Sequence, residues 1–173
     1  MKKILFLLLF LPLIASSQTK IETEDWIISK FNKWKSFMDE EKFSEFELDK
    51  TKSSEKLEIK GCELRITNII NTASTINGKP IRKRDVRIIN IGDIESFSWV
   101  SNGYQLFIKS RKTNILVQTY DYYTKKLESK SYVKGASFIM LTDAENDLGN
   151  RYLKALNHLK SFCDPSIDKK ETF

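Results

Sequence analysis

Residues Lys56–Thr67 read KLEIKGCELRIT, and the alternation of apolar side chains along this stretch decides the fold class. Leu57 and Ile59 take odd positions, whereas Cys62, Leu64 and Ile66 take even ones. A spacing of two puts side chains on one face of a strand, so both halves read as half-buried β structure. The parity switches across Gly61. One residue inserted into a continuous strand, a β-bulge, produces such a switch, and a tight hairpin at Lys60 and Gly61 is the alternative.

Similar runs lie on both sides. FSEFELDK precedes, with Phe46 and Leu48; DVRIINI, SFSWV, YQLFIKS, ILVQTYDYYT and ASFIML follow, divided by turn formers at Asn77-Gly78, Asn102-Gly103 and Thr113-Asn114. Connections this short favour an antiparallel meander, and the runs predict about six to seven strands.

Helical spacing brackets the strands. In TEDWIISKFNKWKSFM, starting at Thr23, Ile27, Phe31, Trp34 and Met38 recur at intervals of four, three and four. Thr23 can cap this helix, with Glu24 and Asp25 at the positive end of its dipole; Thr19 with Glu22 forms a competing capping box one turn earlier. Near the C-terminus, Thr142 and Glu145 match a capping box, followed at helical intervals by Leu148, Tyr152, Ala155, Leu156, Leu159 and Cys163. Asp164-Pro165 ends that helix. The predicted order is helix, curled antiparallel sheet, helix packed on the sheet: an α+β domain. It resembles a pleckstrin-homology-like arrangement, in which a C-terminal helix plugs a bent sheet, and the extra N-terminal helix departs from that pattern.

The first residues, MKKILFLLLFLPLIASSQ, follow the layout of a secretory signal peptide: Lys2 and Lys3, an apolar run broken by Pro12, then small residues. Ala15 and Ser17 suit a cut between Ser17 and Gln18. The apolar run is short of the roughly 20 residues a bilayer span needs, so no transmembrane span is expected after cleavage. This segment resembles export signals of Bacteroidetes bacteria, and the Lys-, Asn- and Ile-rich remainder is similar in composition to small uncharacterised secreted proteins of such bacteria. The resemblance implies export to the periplasm or the cell exterior and carries no activity with it. The expected organisation is a signal peptide at 1–17, one α+β domain at 18–164 and a flexible tail at 165–173.

Cleavage would lower the formal charge from +6 to +4, a mild basicity that does not point to nucleic acid. The two cysteines, Cys62 and Cys163, would then meet an oxidising compartment. A single bridge between them is one reading; two buried thiols is the other. The only histidine, His158, shares the stretch ALNHLKSFC with Cys163. Five residues on a helix diverge by roughly 140°, so the two cannot face each other as nucleophile and base. Cys163 also lies at the negative helix end, where a thiolate is disfavoured, and His158 falls at the rim of the apolar stripe.

Other chemistry finds little support. One histidine and two distant cysteines lack zinc-site spacing, and DAENDLGN does not supply a calcium loop. The sequence holds no G-x-S-x-G, P-loop or H-E-x-x-H motif, and no cofactor is implied. Paired carboxylates leave no local signature, which keeps a small carboxylate-dependent hydrolase as one alternative. The leading expectation is a non-enzymatic binding or interaction domain. Two features suit it. GKPIRKRDVR gathers Lys79, Arg82, Lys83, Arg84 and Arg87 at a turn and the following strand, where guanidinium forks could meet an anionic lipid or an acidic glycan, or simply protect a hairpin edge. Trp99, Tyr104, Tyr120 and Tyr122 could stack on sugars or a protein partner, or serve as cross-strand pairs; Tyr120 and Tyr122 would share one strand face.

Overall fold

A computed structural model describes residues 18–37, 54–76, 79–100, 104–140 and 142–164 of the protein. The expected signal peptide, the FSEFELDK run, Met38 and the C-terminal tail lie outside the described residues. Helix α1 spans Lys20–Phe37, and eight strands follow: β1 Ser54–Lys60, β2 Glu63–Ile76, β3 Lys79–Asn90, β4 Ile94–Val100, β5 Gln105–Ser110, β6 Ile115–Asp121, β7 Leu127–Val133 and β8 Gly135–Ile139. Helix α2, Leu148–Ser161, completes the chain order. The class is α+β, as expected, with more strands than the six to seven predicted.

The parity switch at Gly61 is a hairpin, not a bulge. Lys60 pairs with Glu63, Ile59 with Leu64 and Leu57 with Ile66, so Gly61 and Cys62 form the turn, one residue later than expected. Gly61 adopts φ +63°, a left-handed conformation that suits glycine. The two-residue turn inverts the parity of the inward positions and keeps all four apolar side chains on one face.

The strands do not form one meander. β1-β2-β3-β6-β7 make a five-stranded antiparallel sheet and β4-β5-β8 a second sheet of three, and the two do not close into a barrel. A 3₁₀ turn at Ile91–Asp93 carries the chain from one to the other, with the Asn90 side chain accepting from Gly92 N at 3.1 Å. β7 was absent from the expectation because almost all of its side chains are exposed, leaving no apolar alternation to read. β2 runs on to Ile76 and β3 back from Lys79, so all five basic residues lie in the expected strand, Lys79 at its first position.

The core fills the space between the sheets and the helices. Ile27 and Phe31 of α1, Ile89 of β3, Leu106 and Ile108 of β5, and Tyr152 and Leu156 of α2 are all buried in one cluster. Each such aliphatic or aromatic side chain contributes about 1.5–3 kcal/mol. Phe31 meets Phe138 edge to face at 5.2 Å between centroids. Tyr152, fully buried, gives its hydroxyl hydrogen to Ile27 O at 3.2 Å, and burial pushes its phenol well above its usual range, so it stays neutral.

Helix ends differ from expectation in an informative way. Thr19 and Glu22 make the reciprocal box at α1: Thr19 N donates to Glu22 Oε2 at 2.8 Å and Glu22 N to Thr19 Oγ1 at 3.2 Å. Thr23 is instead buried, its hydroxyl bonded to Thr19 O. No box forms at Thr142 and Glu145, because α2 starts only at Leu148, after Asp147 in a left-handed conformation with φ +54°. Glu145 reaches across to α1, where Lys30 Nζ lies at 2.6 Å, Trp34 Nε1 at 3.0 Å and Lys33 Nζ at 3.1 Å. The Lys30 ammonium above all, with Lys33 and Trp34, holds the Glu145 carboxyl down at about 2, from an ordinary 4.5, against a desolvation that acts in the opposite direction.

Cys62 and Cys163 form a disulfide, their Cα atoms 5.5 Å apart. It fastens the β1-β2 turn to the end of α2. Gly92 lies beneath the junction: a Cβ there would strike the carbonyl oxygen of Cys163, and Ile91 N donates to Cys62 O at 2.8 Å. Among the described residues no helix is long and apolar enough to cross a membrane.

Thiol titration of the denatured, unreduced protein should find no free thiol, and replacing both cysteines by serine should lower stability by about 2–5 kcal/mol. Gly92→Ala should cost about 1–3 kcal/mol, read as a fall in Tm. Because Glu145 has a depressed pKa in the folded state, its contribution is full above about pH 4.5 and is lost as pH falls towards 2. Acid unfolding of Glu145→Gln should accordingly show a shallower pH dependence across that window than the parent.

Candidate functional site

Cross-strand register sorts the basic and aromatic residues. Residues directly opposite one another share a sheet face. Leu57, Ile66, Arg87 and Val117 form one row on the inner face of the large sheet, while Ile69, Arg84, Tyr120 and Leu127 form a row on the outer face. From residue 82 to residue 89, odd-numbered residues of β3 therefore point inward and even-numbered ones outward.

Arg82 and Arg84 accordingly share the outer face. The Arg84 guanidinium lies 4.8 Å from the Tyr120 ring centroid, and that of Arg82 lies 4.3 Å from Tyr122. Lys125 Nζ stands 4.3 Å from the same Tyr122 ring, and Lys130 Nζ lies 5.9 Å from Tyr132. Tyr122 lies just past the strand, contrary to the expectation that it shares a strand face with Tyr120. β6 ends at Asp121, whose carboxylate accepts from Tyr123 N at 3.0 Å and from Thr124 N at 2.6 Å, bending the chain into a turn. Those bonds, the Thr124 amide first, hold the Asp121 carboxyl below its ordinary range. Tyr122 nevertheless faces Arg82, because Tyr122 N donates to Arg82 O at 3.0 Å.

The rest of the expected residues lie elsewhere. Lys83 turns inward and pairs with Glu128 at 3.0 Å. Arg87 donates to Ser137 O on β8 at 3.1 Å and joins the two sheets. Lys79 begins β3 opposite Ile76. Trp99 Nε1 donates to Gly149 O at 2.9 Å, and Tyr104 donates its hydroxyl hydrogen to Asp143 at 3.0 Å; both fasten the β4-β5 hairpin to the entry of α2. Eight of the nine expected binding residues thus divide among an outer strip, an inner seam and a helix anchor, and Lys79 is placed only by its backbone pairing. Sequence reading missed Lys125, Lys130 and Tyr132, because β7 and its turn carry no periodic signal; the Lys-Lys pair at 125–126 beside Tyr122 and Tyr123 was the available clue.

Charge pairing differs along this outer face. Near the β1-β2 turn, Lys56 meets Glu58 at 2.8 Å and Arg65 meets Glu63 at 3.0 Å. At the far end the cations rest on tyrosine rings instead, and among the described residues no carboxylate lies within ion-pair distance of Arg84, Lys125 or Lys130. A ring face attracts a cation by about 0.5–1 kcal/mol at an exposed site and neutralises none of its charge. Positive charge is therefore retained at Arg84 and Lys130, is offset in part at Lys125 by the nearby Asp121 carboxylate, and is offset near the turn.

The acids of the α2 entry do not converge: Asp143 accepts from Tyr104, Glu145 is held by α1, and Asp147 accepts from Asn150 at 2.6 Å. Among the described residues no group of three His, Cys, Asp or Glu side chains is placed to hold a metal ion. His158 lies at the helix rim, with Nε2 3.0 Å from Gln18 O; a carbonyl only accepts, so Nε2 carries the proton. No protein-family model, curated protein or solved structure matches the chain.

Proposed function

We propose that the protein is an exported, non-enzymatic binding domain that holds an acidic polysaccharide on the outer face of its large sheet. The observation that carries this reading is the cation-on-tyrosine strip formed by Arg84 on Tyr120 and by Arg82 and Lys125 on Tyr122. Positions two apart on a strand are spaced by roughly 6.5–7 Å, so Arg82 and Arg84 place two guanidinium groups in line along one face of β3. Their planes are steadied by the rings, which reduces the entropy lost when a carboxylate docks. A polymer with a carboxylate on each sugar can meet such cations in succession. Export is supported by the signal-like N-terminus and is compatible with the disulfide, which persists in oxidising compartments.

Each charge-assisted hydrogen bond is worth about 1.5–3 kcal/mol, roughly tenfold to a hundredfold in affinity. Calorimetry with polygalacturonate should therefore show salt-sensitive binding that Arg82→Ser/Arg84→Ser weakens at least tenfold, with no binding to neutral dextran. Unchanged affinity in that variant would overturn the reading. So would binding to anionic lipid vesicles in the absence of any binding to polygalacturonate.

A further inference from the structure

A second hollow lies between the helices, away from the arginine and tyrosine strip. Gln18, Trp26, Arg151, Lys154, Ala155 and His158 line a space of about 360 Å³, within the roughly 300–1,000 Å³ typical of small-ligand sites. Its wall follows from helical spacing: Arg151, Lys154, Ala155 and His158 recur at intervals of three, one and three and share one face of α2. Trp26 faces them from α1, its indole half-buried and packed against Tyr152 at 5.9 Å between centroids. That contact steadies the ring, with Lys30 Nζ standing 5.9 Å from its centroid, and Ala155 continues its apolar surface into the hollow.

The rim is cationic. The Arg151 guanidinium stands 5.6 Å from the Trp26 ring centroid. Its nearest carboxylate, Glu145, is 3.8 Å away and is already held more closely by Lys30, Lys33 and Trp34. Glu22, the nearby acid at the start of α1, has its carboxylate bonded by the amide and hydroxyl of Thr19. Lys154 is exposed and, among the described residues, has no carboxylate within ion-pair distance. His158 closes the remaining side, positioned by its hydrogen bond to Gln18 O and by edge contact with Phe162 at 4.8 Å. An apolar floor under an underneutralised cationic rim has a specific complement: a flat ring bearing one carboxylate.

We infer that this hollow binds a small aromatic or otherwise flat carboxylate, with its ring over Trp26 and Ala155 and its carboxylate between Arg151 and Lys154. Ring stacking and a forked charge-assisted contact together discriminate against neutral analogues, because an uncharged group forgoes the second contact.

The test is a titration of the folded protein with sodium benzoate and, separately, with the neutral isostere benzamide, followed by two-dimensional NMR. Benzoate should give saturable shifts at the Trp26 indole N–H and at the amides of Arg151 through His158, and should bind at least tenfold more tightly than benzamide. Arg151→Ala/Lys154→Ala changes two exposed side chains; with spectral dispersion intact, it should weaken benzoate at least tenfold. The inference is overturned by an absence of saturable shifts at these residues, by equal affinity for benzamide, by indifference to the double substitution, or by shifts confined to Arg82, Arg84 and Tyr120.

Discussion

The disulfide between Cys62 and Cys163 closes the domain where three otherwise separate pieces meet. It joins the turn of the first hairpin to the residues just past the end of α2, across a sequence separation of 101, with the 3₁₀ turn at Ile91–Asp93 held beneath. A cross-link over so long a loop removes much of the freedom of the unfolded chain. Its local cost is close packing, and Gly92 meets that cost by presenting no side chain to the Cys163 carbonyl. Once α2 is fastened at this end, its apolar face lies over the core, and Leu148, Tyr152, Leu156 and Leu159 become buried.

The opposite end of α2 depends on charge. Glu145 sits before the helix and gathers Lys30, Lys33 and Trp34 from α1, so the two helices are joined through a polar contact above their apolar one. Such a cluster is partly exposed, and its contribution depends on salt and pH in a way that the disulfide does not. α2 is thus held covalently to the β1-β2 turn at one end and electrostatically to α1 at the other, and the hollow between Trp26 and His158 lies along this helix pair.

How a cation is paired decides which surface can act. On one sheet face, Lys56 and Arg65 are offset by glutamates, whereas Arg84, Lys125 and Lys130 rest on tyrosines. The residues are of similar types and only their neighbours differ. Net charge alone could not show this, since a cation on a carboxylate and a cation on a ring count the same in a composition. The same limit explains why Lys83 and Arg87, adjacent in sequence to the strip, serve other purposes: strand alternation turns them to the opposite face.

Local periodicity was sufficient for the class of fold, for the inward faces of both helices and for the rim position of His158, because those depend on spacing along one element. Even the hairpin at Gly61 was present as an alternative, since parity restricts a two-residue turn and a one-residue bulge to the same pattern. What lay beyond the sequence depended on partners distant in the chain. β7 has almost no buried side chain to announce it; Glu145 imitates a capping residue until α1 draws it away; and eight of the nine candidate binding residues separate into three places according to register and long-range hydrogen bonds. By itself, then, the sequence determined which residues alternate, repeat and turn, which are properties of neighbours. Only the tertiary structure decided which strand lies beside which, and so which cations find a carboxylate and which find a ring, because that pairing is set between residues far apart in sequence.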